Sequence, residues 1–261
     1  MPSIFLRRPA LAAIAFVLLA LAVATAPGGA FADDPVKLPK PRPAASPVKP
    51  VSADKTATGL DTSAAKADPK VELPPPPANP KPYGYGRIIV LRGLGNIFSR
   101  GMDKMAKEMT AYGLPVQLAN HSRWHEFADQ IIADYKAKKP VEPVILIGHS
   151  LGADASLVMA NWLAHNGIKV RLVVAFDGVA DILPITNPTV EVINYYKPTA
   201  GYGKKVVAAP NFKGTLVNIN MSDRHDIDHL NIDKMEGVQN EVILKVLDIM
   251  KKKPPTVTAK N

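Results

Sequence analysis

From Tyr83 onward, apolar and polar positions along the chain switch repeatedly between two periods. Short runs rich in β-branched residues recur at Arg87–Leu91, Val116–Ala119, Val144–Ile147, Val170–Phe176, Val190–Tyr195 and Thr215–Ile219. Such runs, closed by turn residues such as Gly93 and Gly148, predict buried strands. Between them apolar residues return every three or four positions. Met102, Met105, Ala106 and Met109 mark a helix over Asn96–Ala111, closed by Gly113. Trp124, Phe127, Ala128, Ile131, Ile132 and Tyr135 mark a second. Ala155, Val158, Met159 and Trp162 recur along Leu151–His165, which Gly167 ends, and Val238, Val242, Val246 and Ile249 point inward from a helix over about Asp233–Lys252. Strands alternating with helices predict an α/β fold: a mostly parallel sheet of about six strands with helices on both faces. The methionines then belong to the core rather than to a cofactor box.

The chain before Tyr83 has a different texture. Arg7 and Arg8 precede an almost wholly apolar stretch, Leu11–Ala26, and Ala30-Phe31-Ala32 places small residues before Asp33. This reads as a cleavable signal peptide over residues 1–32 and predicts export to the periplasm or beyond. The apolar stretch is shorter than the roughly 20 residues a membrane-spanning helix needs. Residues 33–82 hold 13 of the 25 prolines, with many alanines and lysines. So few large apolar residues cannot offset the entropy of ordering, which predicts a disordered linker. The globular domain is expected over 83–253, followed by a disordered tail over 254–261.

The chain has no cysteine, which removes disulfides and thiolate nucleophiles, and its 32 lysines and arginines against 23 acids leave a net charge of +9. The basic residues are scattered lysines, without an arginine cluster interleaved with aromatics, so nucleic acid is not an expected partner. Weak association with an anionic envelope surface suits the charge.

In a parallel sheet the C-terminal ends of all strands open on one side, where ligands bind. The segments there include Arg92–Asn96, Gly148–Ser150, Asp177–Gly178, Tyr195–Lys197 and Met221–His229. One of them, Gly148-His149-Ser150-Leu151-Gly152, has the Gly-x-Ser-x-Gly spacing of a nucleophile elbow. A serine hydroxyl used for nucleophilic attack must project from a sharp strand-to-helix turn, and flanking glycines let strand and helix close on that turn. The five residues alone are a weak signal. Here Val-Ile-Leu-Ile runs straight in and a helix with small residues runs straight out, as the motif demands.

Val-Ile-Leu-Ile-Gly-His-Ser-Leu-Gly-Ala resembles the elbow of α/β-hydrolases, above all lipases, esterases and thioesterases, and the order of elements is similar over roughly Arg87–Lys252. The resemblance implies a triad in the order Ser, acid, His, with Ser150 as nucleophile. The usual acid position, after Val190–Tyr195, reads Asn194-Tyr195-Tyr196-Lys197 and offers no carboxylate. Asp177, one strand earlier as in some lipases, is the implied acid, with Asp181 and Asp223 in reserve. His229 leads into the last helix and is the preferred base over His225. The oxyanion hole is implied at the backbone N–H groups of Leu151 and Leu94, with Gly95 second to Leu94. His149 occupies the variable elbow position and is expected to pack beside the nucleophile rather than transfer protons.

Two other chemistries are weighed against this. Asp223, His225, Asp226, Asp228, His229 and Asp233 are potential metal ligands within eleven positions, but neither an EF-hand spacing nor a His-Glu-x-x-His helix is present, so no metal is expected. Gly93-x-Gly95 fails as a dinucleotide fingerprint because position 98 is Phe, and no other cofactor motif appears. The sequence therefore predicts an exported serine hydrolase acting on a small-molecule or lipid acyl ester or thioester. The alternatives are a non-catalytic envelope binding protein on the same scaffold and an amidase or peptidase acting on cell-wall material. Only about a dozen residues separate Asp177 from Val190, too few for a large lid domain.

Overall fold

The computed structural model describes residues 60–63, 71–94, 99–199 and 201–251. The expected signal peptide, most of the expected linker, Gly95 and the tail lie outside these residues. The elements run β1 (Leu60–Ser63), β2 (Arg87–Arg92), α1 (Arg100–Ala111), β3 (Val116–Asn120), α2 (Trp124–Lys136), β4 (Val144–His149), α3 (Leu151–His165), β5 (Val170–Phe176), β6 (Glu191–Tyr196), β7 (Thr215–Asn220) and α4 (Glu236–Lys251). All pairings between these strands are parallel, in the order β1-β7-β6-β5-β4-β2-β3.

Alternation along the strands divides the core. Ile88, Val90, Ile145, Ile147, Leu172 and Val174 face α1 and α4, where Met102, Met105, Met109, Val242 and Val246 are fully or almost fully buried. Ile89, Leu91, Val144, Leu146, Val173 and Ala175 face α2 and α3, against Phe127, Ile131, Leu157, Met159 and Leu163. Covering on both faces explains why the central strands read as continuous apolar runs. The chain runs from β2 to β3 on one side of β2 and then crosses to β4 on the other. That reversal is a topological switch point, and a crevice opens at the C-terminal ends of β2 and β4.

The structure corrects the sequence reading in several places. Tyr135, grouped with the apolar face of α2, is 42% exposed, and Val158 and Trp162, grouped with the apolar stripe of α3, are 39% and 47% exposed, while Leu157, Ala160 and Leu163 are buried. Helix α3 is apolar nearly all round, so periodicity alone does not fix its inward face. The last α-helix starts at Glu236, because Ile232–Lys234 form a separate 3₁₀ turn. The expected linker is ordered in part: Leu60–Ser63 pairs with the outer edge of β7, and Val71, Leu73 and Pro74 contact the domain. Adding a strand to an open edge uses backbone hydrogen bonds and needs no apolar run. In the proline-rich stretch, Leu73 packs on the core, Asn240 Nδ2 donates to the Val71 carbonyl at 2.7 Å and the Tyr112 hydroxyl donates to that of Pro74. Proline carries no N–H, so satisfied carbonyls suffice for such a segment to dock.

Candidate active site

The turn after β4 has the geometry that its glycines permit. Ser150 sits at φ 58° and ψ −128°, a conformation that non-glycine residues adopt rarely and at a cost of about 1–3 kcal/mol. A Cβ on Gly148 would lie 2.1 Å from the Gly152 carbonyl oxygen, and one on Gly152 would lie 2.1 Å from that of Leu91. Both contacts are backbone against backbone and cannot yield by a rotamer change. The two glycines are therefore required by close approach, one between β4 and α3 and the other between α3 and β2. The Ser150 N–H donates to the Phe176 carbonyl at 2.9 Å, which anchors the strained turn to the end of β5.

The structure brings Ser150, Asp177 and His229 together from three separate segments. His229 Nε2 lies 3.0 Å from Ser150 Oγ, and His229 Nδ1 lies 2.8 Å from Asp177 Oδ2. Asp177, 1% exposed, directly follows β5 at φ 53°. Its second carboxylate oxygen accepts the Lys197 backbone N–H at 2.7 Å, and its own N–H donates to the Tyr195 carbonyl at 2.8 Å. A carboxylate that can only accept makes Nδ1 the protonated nitrogen of His229, so Nε2 presents its lone pair to the serine hydroxyl. The three side chains thus form a hydrogen-bonded line from Asp177 through His229 to Ser150.

The reserve candidates lie elsewhere. Asp223 and His225 are exposed, and the exposed Asp181 pairs with Lys204 at 3.5 Å. The acid-rich stretch disperses its side chains among different partners. Asp226 takes a bidentate contact from Arg224, Asp228 accepts the Leu230 N–H, and the buried Asp233 accepts the Gly101 N–H. Among the described residues no group of three or more histidine and acidic side chains is placed to hold a metal ion.

Leu151 is the first residue of α3, so its N–H has no acceptor within the helix. On the loop after β2, the Gly93 N–H is already engaged by Ser99 Oγ at 2.9 Å. Leu94 follows with its side chain 66% exposed at the rim of the crevice.

Four residues that shape the site were not singled out from the sequence. Asp154, in the first turn of α3, accepts the N–H groups of Val179 and Ala180 at 3.1–3.2 Å and pins the loop behind Asp177. Burial raises its carboxyl to about 6. Lys197 Nζ donates to the Arg224 and Ile227 carbonyls at 2.7 and 2.6 Å, clamping the loop that carries His229. Tyr202 stacks its ring on the His229 imidazole at 4.1 Å between centroids. Ser99 bonds His149 Nδ1 at 2.9 Å. A lysine where the α/β-hydrolase resemblance would place the usual acid was the one visible signal. The others depend on contacts across the fold.

These side chains border a cavity of about 420 Å³. Its apolar wall is Leu94, Leu151, Val179, Tyr202 and Leu230, and its polar residues are Ser99, His149, Ser150 and His229. With the strand order, the strained serine turn and the histidine after the last strand all in place, the architecture has its counterpart.

The fold is α/β-hydrolase-like.

Solved structures similar to this chain include the thioesterase domain of NocB from the nocardicin cluster, at 13% identity, covering 64% of this chain and 95% of that one, with a TM-score of 0.40. RedJ thioesterase from the prodiginine pathway of Streptomyces coelicolor is similar at 10% identity, covering 68% and 90%, with a TM-score of 0.43. Est1E from Butyrivibrio proteoclasticus is similar at 10% identity, covering 66% and 92%, with a TM-score of 0.39. No family model and no curated protein matches the chain.

Proposed function

We propose that the chain is an exported serine hydrolase that cleaves an ester or thioester of an apolar acyl group through an acyl-enzyme. The single observation behind this reading is the line Ser150–His229–Asp177, at 3.0 and 2.8 Å, at the tip of a strained strand-to-helix turn. Strain at a surface crevice is retained where it serves a site.

In this mechanism His229 Nε2 takes the Ser150 proton as Oγ bonds to the substrate carbonyl carbon, and the carbonyl π-electrons move to oxygen. Asp177 fixes the tautomer and stabilises the imidazolium. The Leu151 and Leu94 N–H groups receive the oxyanion. The imidazolium then protonates the leaving alcohol or thiol, and water, deprotonated by His229, releases the acid and restores Ser150. No charged side chain lines the cavity among the described residues, which favours an aliphatic or aromatic acyl group over charged cell-wall material.

A fluorophosphonate probe is expected to label Ser150, and p-nitrophenyl esters to be hydrolysed with a preference that changes with chain length. Ser150→Ala should abolish both labelling and turnover. A folded protein that neither reacts with the probe nor hydrolyses any ester or thioester would instead be a binding protein on this scaffold.

A further inference from the structure

His149 is fully buried at the end of β4, next to Ser150 in sequence, yet neither of its nitrogens is bonded to the Ser150 hydroxyl. Nε2 lies 2.8 Å from the carbonyl oxygen of His229, and Nδ1 lies 2.9 Å from Ser99 Oγ. A carbonyl can only accept, so Nε2 carries the proton and Nδ1 presents a lone pair. Ser99 must then donate its hydroxyl hydrogen to Nδ1, and its oxygen is free to accept the Gly93 N–H at 2.9 Å. One direction of donation is therefore forced through three buried residues, from Gly93 through Ser99 and His149 to the backbone of His229. Successive bonds of the same sense polarise and strengthen one another in a site shielded from water.

The ends of this chain are what give it meaning. Gly93 immediately precedes Leu94 on the loop after β2, and its Cα region packs on the elbow: an added Cβ would lie 2.9 Å from Ser150 Cβ and 3.1 Å from the His149 carbonyl. The other end is the main chain of the residue that carries the general base. We propose that His149 and Ser99 are positioning residues that hold the oxyanion-binding loop and the His229 backbone in one fixed relation to Ser150. The catalytic consequence rests on the hydrolase reading above, whereas the hydrogen-bonded chain does not. His149 acts in its neutral form, and burial lowers its basicity to about 4, so the chain keeps its direction through the neutral range.

Four variants and one spectrum test this. His149→Phe keeps a ring and removes both nitrogens, and should lower kcat by about 10–100-fold with KM little changed, as small misplacements of reacting groups do. Ser99→Ala should fall in the same direction, and Ser99→Thr, which keeps the hydroxyl, should recover most of that loss. The double variant should be no slower than His149→Phe alone, because both residues serve one chain. Wild-type kcat in folded His149→Phe, or losses that simply add in the double variant, would overturn the proposal. Imidazole ¹⁵N spectra of the wild type at pH 7 should show His149 with protonated Nε2 and bare Nδ1; the opposite tautomer would overturn it regardless of activity. An inactive wild type would strike the hydrolase reading, and the spectrum would still decide the chain.

Discussion

At the residue scale, the site depends on which atom of each side chain is committed elsewhere. Asp177 uses one oxygen for the Lys197 N–H and the other for His229, so its position is fixed by backbone before the imidazole is added. Asp177→Asn preserves this geometry but can offer an amide N–H to Nδ1, favouring the wrong tautomer. On the proposed hydrolase reading, a loss in kcat on the order of 10⁴ is expected, as for the same change in a Ser-His-Asp triad. Steady-state hydrolysis of a p-nitrophenyl ester measures it, and an unimpaired variant would move the acid to another carboxylate. The strand pattern placed Ser150, Asp177 and His229 in loops on one edge of the sheet, and the resemblance to α/β-hydrolases singled them out there. Choosing His229 over His225 rested on its place before the last helix, and the structure puts His225 on the exposed side of the same loop.

At the scale of elements, the glycines decide how closely β4, α3 and β2 pack. Gly148→Ala would force a methyl group against the backbone of α3, 2.1 Å from the Gly152 oxygen. Overpacking of this kind costs about 1–3 kcal/mol and here has no flexible neighbour to yield. Gly84→Ala is the matched control, since nothing lies within 4 Å of its added Cβ, and it should be neutral or stabilising by about 0.4–1 kcal/mol. Urea denaturation of both variants separates the outcomes; equal stabilities would mean that the elbow relaxes. From β2 onward, element order and most boundaries were readable, since short continuous apolar runs alternate with longer stretches bounded by glycine. The inward face of α3 was not, because its composition is apolar on nearly every side and only the packing against β4 and β5 selects Leu157, Ala160 and Leu163.

At the scale of the whole molecule, buried titratable groups set opposing slopes of stability with pH. His149 is held near 4 by burial, below the ordinary 6.5. The unfolded chain therefore binds a proton that the native state refuses, and this contribution is lost as pH falls from about 6.5 to 4. Burial raises Asp154 and Asp233 to about 6, so the native state keeps protons that the unfolded chain releases. Their contribution is most favourable near pH 4 and is lost as pH rises to 6. The slopes partly cancel in the wild type. Asp233→Asn removes one of the acidic terms and should exceed the wild type by about 1–3 kcal/mol at pH 7 while matching it near pH 4. Denaturation at pH 4, 5.5 and 7 measures the difference, and a gap independent of pH would show that Asp233 does not titrate in this window.

Taken by itself, the sequence determined the class of fold, the turn that presents Ser150 and the segments that supply an acid and a histidine. The fold class and the turn follow from local rules, namely period along the chain, glycine at a tight bend and the common direction of parallel strands, whereas the acid and histidine segments were implied by the resemblance to α/β-hydrolases. Only the tertiary structure decided which histidine meets the serine, which face of α3 is buried, and where the proline-rich segment docks. It also decided that His149 links two loops through Ser99. Those outcomes depend on distances between residues far apart in the chain, and hydrogen-bond partners and close backbone contacts exist only once the sheet has brought its C-terminal ends together.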